Sequence, residues 1–343
     1  MASISKLPVA RWTRIAASVR LYRSSQAVSV IHQKAYIFGG ELLPREPVDN
    51  RIDIVELAEG KGFGVQTLPE PSEGPTPRVG TPSTTIGQGI YLFSGRGGIE
   101  MKPIEENGSV WRYDVSTAAW ELITPADPSA PFPAGRSYHC ISSNGSDTVY
   151  IHSGCPEQGR LSDLWAFDIS NRTWRELPSA PAPPRGGASI AFANEKLYRI
   201  NGFDGKTEQG GSIDVFDVAA SAWSSINYKP DGTDGPEPRS VSILVPVVVQ
   251  GRVYLVTMFG ERDPSSLGHA GAGKMLSDAW AFDIEKAVWQ KLEMGKDGPV
   301  ARGWFDADVA KDEEGSDTIV IHGGLGEDNK RLGDVWTLSF SGN

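Results

Sequence analysis

A β-rich phrase that ends in small residues occurs six times along this chain: AYIFGG (35–40), IYLFSG (90–95), VYIHSG (149–154), LYRING (197–202), VYLVTMFG (253–260) and IVIHGG (319–324). A repeat of this length constrains a fold strongly, because one unit cannot bury both of its faces and must stack on its neighbours. Downstream of most copies an aromatic residue is followed seven positions later by tryptophan: Tyr113 and Trp120, Phe167 and Trp174, Phe216 and Trp223, Phe282 and Trp289. An arginine opens each unit (Arg23, Arg78, Arg136, Arg185, Arg239, Arg302), so the period runs from 49 to 63 residues.

The order of arginine, glycine pair, aromatic and tryptophan resembles the kelch repeat, across the whole chain. That resemblance implies an all-β fold, a six-bladed kelch β-propeller with four strands per blade. The 39 glycines and 24 prolines among 343 residues suit many short strands joined by turns. The last unit stops at VWTLSFSGN (335–343), which leaves no room for a fourth strand. RWTRIA (11–16) reads like TWREL (173–177), so Trp12 is assigned to the outer strand of the last blade, and the N-terminal strand closes the ring. The expected organisation is one domain, 1–343, with blades at 18–70, 71–125, 126–179, 180–230, 231–293 and 294–343 plus 8–17. Blade 1 is degenerate, with Phe63 near the tryptophan position, and blade 5 carries Thr257 and Met258 as two extra residues before its glycine.

A formal charge of −10, spread along the chain, argues against a nucleic-acid partner and against an anionic membrane surface. Two cysteines, Cys140 and Cys155, are too few for a disulfide framework and point to a reducing, cytoplasmic setting. No apolar run has transmembrane length, and no signal-peptide core is present. The basic stretch before Glu41 faintly resembles a mitochondrial presequence, but the strand role of Trp12 explains it better.

The stretch GERDPSSLGHAGAGKM (260–275) has neither helical nor strand periodicity and forms the longest connection between a second and a third strand of any blade. Glu261, Asp263 and His269 are its candidate metal ligands, one imidazole and two carboxylates, a set suited to Fe(II) with open positions. The alternative is a surface turn solvated by its carboxylates. With the later ARGWFD (301–306), the stretch resembles the nitrile-specifier, epithiospecifier and thiocyanate-forming proteins, whose Fe(II) motif is Glu, three residues, Asp, three residues, His. Glu261 and His269 stand at the required spacing, but the middle position is Ser265. The same resemblance makes Arg96 in FSGRGG and Trp304 the substrate-binding residues, Arg96 to clamp an anion and Trp304 to pack on an apolar group. A role in stabilising the ring is the alternative for both.

The six opening arginines either crowd one rim and make a positive pocket or bond loop carbonyls within the ring. His152 and His322 read as core residues, and His139 lies on a first strand, where it could face the central channel. No nucleophile elbow, P-loop or dinucleotide fingerprint occurs, and the copper ligands of the kelch enzyme galactose oxidase have no counterpart. The resulting expectation is a small-molecule enzyme of specifier type: an Fe(II)-assisted lyase or isomerase acting on an anionic, unstable intermediate of secondary metabolism, bound in the propeller mouth. A metal-independent kelch enzyme of other biosynthetic chemistry and a scaffold for a protein partner stay open beside it.

Overall fold

The computed structural model describes residues 7–57, 64–295, 297–311 and 316–340. Phe63 lies outside them. The fold is all-β, with two short 3-10 turns, Val19–Leu21 and Gly268–Ala270, as the only helical elements among the described residues.

Most strands gather into six larger antiparallel sheets, each starting one to five residues after an opening arginine, with two small sheets, one around Arg78–Val79 and one pairing Glu261–Arg262 with Lys274–Met275, beside them. Sheet 1 contains Ser24–Ile31, Lys34–Leu43, Ile52–Glu56 and Val65–Thr67, with Glu46–Pro47 added beside the second strand. Sheet 2 contains Ser83–Ile86, Gly89–Leu92, Val110–Asp114 and Ala119–Ile123. Sheets 3 and 4 start at Cys140–Ser143 and Ser189–Ala193 and end at Thr173–Leu177 and Ala222–Asn227. Sheet 5 runs from Ile243–Val249 to Val288–Lys291. Sheet 6 contains Asp306–Lys311, Asp317–His322 and Asp334–Ser339, and its fourth strand is Arg11–Ala17, with Trp12 opposite Leu338.

The seven-residue aromatic spacing follows from a tight turn between the third and fourth strands. It sets Tyr113 opposite Trp120, Phe167 opposite Trp174, Phe216 opposite Trp223 and Phe282 opposite Trp289, with ring centroids 4.8–5.2 Å apart. Such cross-strand aromatic pairs are each worth about 0.5–1 kcal/mol beyond their burial. Thr257 and Met258 extend the second strand of sheet 5, Arg252–Met258, by two residues. An even insertion keeps every side chain on its own face.

The opening arginines are structural. Arg23, Arg78, Arg136, Arg239 and Arg302 are buried, and each donates to a carbonyl at the end of its sheet's second strand (Gly39, Ser94, Ser153, Phe259, Gly323) and to a carboxylate (Asp53, Glu106, Asp163, Asp278, Asp334). Arg185 donates to the carbonyls of Asn201 and Pro183 without a carboxylate partner. Removing one partner from such a buried pair costs about 3–5 kcal/mol, because the other charge stays buried. These guanidiniums are consumed inside the sheets and do not form a positive rim.

Two residues beyond each arginine the backbone is left-handed, at Ser25, Gly80, Tyr138, Gly187, Val241 and Trp304, with φ between 47° and 61°. The six positions form a hydrogen-bonded circle. Ser25 N–H donates to the Trp304 carbonyl, Gly80 to Ser25, Tyr138 to Gly80, Gly187 to Tyr138, Val241 to Gly187 and Trp304 to Val241, at 2.7–3.0 Å. The first strands of the sheets contact one another in the same order, and Asp306–Lys311 returns to Ser24–Ile31. The second glycine of each repeat is also left-handed; at Gly260 (φ 98°) a Cβ would stand 2.8 Å from the Ser240 carbonyl oxygen. The chain therefore needs glycine there to bring its loops onto the circle.

Candidate functional site

The circle lies between two cavities of nearly equal size. Tyr138, Gly187, Val241 and Trp304 line both. One is the channel between the first strands, about 300 Å³, and the other is the mouth beneath the loops that follow the glycines, about 310 Å³.

The first residue after each glycine pair is placed by a backbone bridge to the residue after the opening arginine: Arg96 to Val79, Cys155 to Ser137, Phe203 to Gly186 and Glu261 to Ser240. All four line the mouth, with Arg45, Arg160 and Glu208 from loops of sheets 1, 3 and 4. Glu41 and Leu325 hold the same position in sheets 1 and 6. Arg96 Nε donates to Ser137 Oγ at 3.2 Å and Nη2 to the Pro156 carbonyl at 3.3 Å. Arg160 donates only to the carbonyl of Gly159, and its Nε has no partner. Among the described residues none of Arg45, Arg96 and Arg160 is in an ion pair, although the arginines of the sheets mostly are.

The stretch 260–275 is not the unstructured loop its sequence suggests. Glu261–Arg262 pairs with Lys274–Met275, and Gly268–Ala270 makes a turn at the tip. This ribbon lies against its neighbours through Asn329 Nδ2, which donates to the Ala270 carbonyl, and Met275 N–H, which donates to Glu327. His269 at the tip stands 5.4 Å from the Trp304 ring, and Trp304 is 5.2 Å from Tyr138, centroid to centroid. His269 Nε2 lies 3.1 Å from Glu41 Oε1. Burial pushes the Glu41 carboxyl up, but His269, the Arg45 N–H and the Arg331 guanidinium together hold it below its usual value. Glu261 Oε1 accepts the Gly273 N–H at 2.6 Å, and burial raises its pKa.

Arg96, Trp304, Glu261 and His269 are thus brought to one cavity, and Ser265 lines it too. Asp263 is not among them. The left-handed backbone at Asp263 (φ 51°) turns its side chain out, where it is 71% exposed and pairs with Arg262 at 3.2 Å. The expected iron ligands therefore do not assemble. Asp263 faces solvent, Ser265 offers a neutral hydroxyl that accepts the Leu267 N–H, and His269 is engaged with Glu41. Among the described residues no three His, Cys, Asp or Glu side chains are grouped to hold a metal ion. The donor set does not fit a three-ligand Fe(II) centre.

His152 and His322 are buried and bond the carbonyls of Asp163 and Leu21. His139 is buried against Phe93 with both ring nitrogens unpartnered, and burial and Arg136 lower its pKa to about 3, so it is neutral. Cys140 and Cys155 are free thiols. Arg45, Tyr138, Arg160, Phe203 and Glu208 are not among the residues the sequence singles out, and Cys155 stands out there only as a thiol. Tyr138, Cys155 and Phe203 are legible once the six repeats are aligned and the residue after each glycine pair and the second residue after each arginine are read; Arg45, Arg160 and Glu208 hold neither position.

The KLHDC2/KLHL20/DRC7 Kelch-repeats domain matches residues 25–260, more than half of the chain. The chain is 27% identical over 345 residues to N-(sulfonatooxy)prop-2-enimidothioate sulfolyase of Thlaspi arvense, with 93% of each chain covered. It is 30% identical over 181 residues to Tip elongation aberrant protein 1 of Schizosaccharomyces pombe, spanning 15% of that protein's length. The solved structure of YjhT superposes with a TM-score of 0.70 over 94% of this chain and 96% of that one, at 15% identity, which speaks to fold alone.

Proposed function

Since the chain belongs to the KLHDC2/KLHL20/DRC7 kelch-repeat family, we propose that it is one six-bladed propeller, closed by the Arg11–Ala17 strand, whose mouth binds a small organic anion and promotes loss of its anionic leaving group. The circle of six hydrogen bonds at the throat supports the blade count, and the pairing of Arg11–Ala17 with Asp334–Ser339 supports the closure. The blades keep the boundaries given above.

One observation carries the functional reading: three guanidiniums, Arg45, Arg96 and Arg160, line one cavity without a carboxylate partner. Guanidinium is the side chain best shaped for planar, charged oxygen groups. The name of the Thlaspi arvense relative describes an N-sulfonatooxy substrate and a sulfolyase. Breaking a bond to such a group takes the leaving sulfate from one negative charge to two. Guanidiniums fixed around it stabilise the departing form more than the bound substrate, which is the condition for acceleration. Trp304 and Tyr138 supply an apolar floor, and the Glu261–Met275 ribbon carries His269 over it. Asp263, Ser265 and His269 do not form a three-ligand set, and the guanidiniums act on the leaving group without a metal. This favours the metal-independent form of the enzyme reading.

Sulfate release from N-(sulfonatooxy)prop-2-enimidothioate, measured by ion chromatography, tests the proposal. Wild-type protein is expected to accelerate it, and Arg96→Ala to lower kcat/KM by about 10- to 100-fold, the loss of one charge-assisted contact. Release at the protein-free rate would sink the enzyme reading for this substrate class. Exposed Ile99 and Leu267, on loops whose other residues line the mouth, and Leu42 and Leu43, at the end of the Lys34–Leu43 strand beside Arg45, favour the second reading, a scaffold that docks a protein partner.

A further inference from the structure

Around the circle the mouth changes sign. Arg45, Arg96 and Arg160 come from the loops of sheets 1, 2 and 3, and Glu208 and Glu261 from the loops of sheets 4 and 5. Because those sheets follow one another around the throat, the guanidiniums occupy one arc and the carboxylates the other. The two arcs do not neutralise each other: among the described residues neither Glu208 nor Glu261 is in a salt bridge, and Arg262, beside Glu261, pairs with Glu237 and Asp263 instead.

Glu208 Oε1 is buried and has no hydrogen-bond partner. Burial, together with the nearby charges of Glu261 and Asp263, pushes Glu208 above the usual carboxylate range. Glu261 is only 5% exposed. A buried acceptor left without a donor is destabilising, and a ligand that brings a donor relieves it. The sheets of this protein pair nearly all of their buried charges, so five charged side chains around a single cavity with no ion-pair partner among the described residues, Glu261 buried, Arg96, Arg160 and Glu208 half-buried and Arg45 exposed, mark a place shaped for something other than folding. A volume of about 310 Å³ is at the small end of ligand pockets.

We propose that the mouth is a two-pole site whose ligands carry an anionic group, held by the arginine arc, and at the other end an N–H or O–H donor, accepted by Glu208 with Glu261 beside it. This rests on the anion-binding reading above and names the other half of the ligand. Glu208 is the specificity residue: it distinguishes a bifunctional ligand from a plain anion, and it fixes which end of the ligand enters each arc.

Calorimetric titration at constant ionic strength with propane-1-sulfonate and 3-aminopropane-1-sulfonate tests it, using wild type, Glu208→Gln, Glu261→Gln and Arg96→Ala. Wild type is expected to bind the amino compound about tenfold more tightly than the plain sulfonate. Glu208→Gln is expected to reduce that advantage to about threefold or less while propane-1-sulfonate binding stays within about twofold. Glu261→Gln reduces the advantage by a smaller factor and serves if Glu208→Gln does not fold. Arg96→Ala weakens both ligands. Equal affinity of wild type for the two sulfonates, or an advantage that survives both glutamine variants, overturns the two-pole site while the anion pocket stands. If neither sulfonate binds wild type, the anion pocket itself fails and the two-pole site falls with it.

Discussion

The channel and the mouth have almost the same volume, share Tyr138 and Trp304, and are both lined by acidic side chains, yet they use their polar groups in opposite ways. In the channel the polar side chains stitch neighbouring first strands together. Asp306 and Asp308 accept the N–H groups of Val28 and Val30, each at 2.7 Å, Ser143 donates to the Thr85 carbonyl, and Ser189 donates to the Ser242 carbonyl. The inner edge of each sheet would otherwise expose unpaired backbone groups. In the mouth Arg45, Arg96, Arg160 and Glu208 pair with no opposite charge among the described residues. Two cavities of one size thus use charge differently: charge spent on holding sheets together is unavailable to a ligand, and the charge withheld from the fold is what we propose recognises one.

If that division holds, damage to the stitched ring should alter stability far more than binding. The largest effect is expected from removing residues 1–17, which leaves Asp334–Ser339 as an open edge and takes away Trp12, whose ring stacks on Phe259 at 6.0 Å. Melting of the truncated protein should fall by 10 °C or more, on the order of several kcal/mol. Melting at the full-length temperature would break the closure we infer.

A smaller effect concerns pH. Burial pushes Asp306 to about 7 and Asp308 to about 6, although the N–H groups they accept pull the other way. A carboxyl whose folded pKa is raised favours the fold when protonated, so its contribution is present at low pH and is lost as pH rises through 6 and 7. Wild type should therefore lose up to about 4 kcal/mol between pH 5 and pH 8 relative to an Asp306→Asn, Asp308→Asn variant, whose amides still accept the strand N–H groups. Parallel melting curves across that range would show that these carboxyls do not titrate as described. Sulfonate binding should be the same in both proteins at pH 5.

How much of this was legible in the sequence depends on which residue is asked about. Arg136, Trp174 and Gly154 each obey a rule that one repeat states and the others restate, so their places follow from local spacing and the need to bury a sheet's faces. Trp12 was legible for the same reason, since RWTRIA copies the fourth-strand pattern of other units. Asp263 misled because ligand chemistry was read from residue type and distance along the chain, whereas a single left-handed residue next to Arg262 points the carboxylate out. Arg45, Arg160 and Glu208 went unseen because each is unremarkable within its own loop. Their meaning appears only when the ring brings loops from sheets far apart in sequence to a common mouth. Ser25, Tyr138 and Trp304 share a repeat position with glycines, and nothing in their own chemistry announces the left-handed turn they make.

If the proposal is right, the mouth, and not the channel, holds an organic anion. Diffraction from crystals soaked in 2-bromoethanesulfonate locates such a ligand through the anomalous signal of bromine. A sulfonate is expected within hydrogen-bond distance of at least two of Arg45, Arg96 and Arg160, with the bromoethyl group toward Trp304. A ligand found only in the channel beside Asp306, or only on arginines outside the mouth, would contradict it.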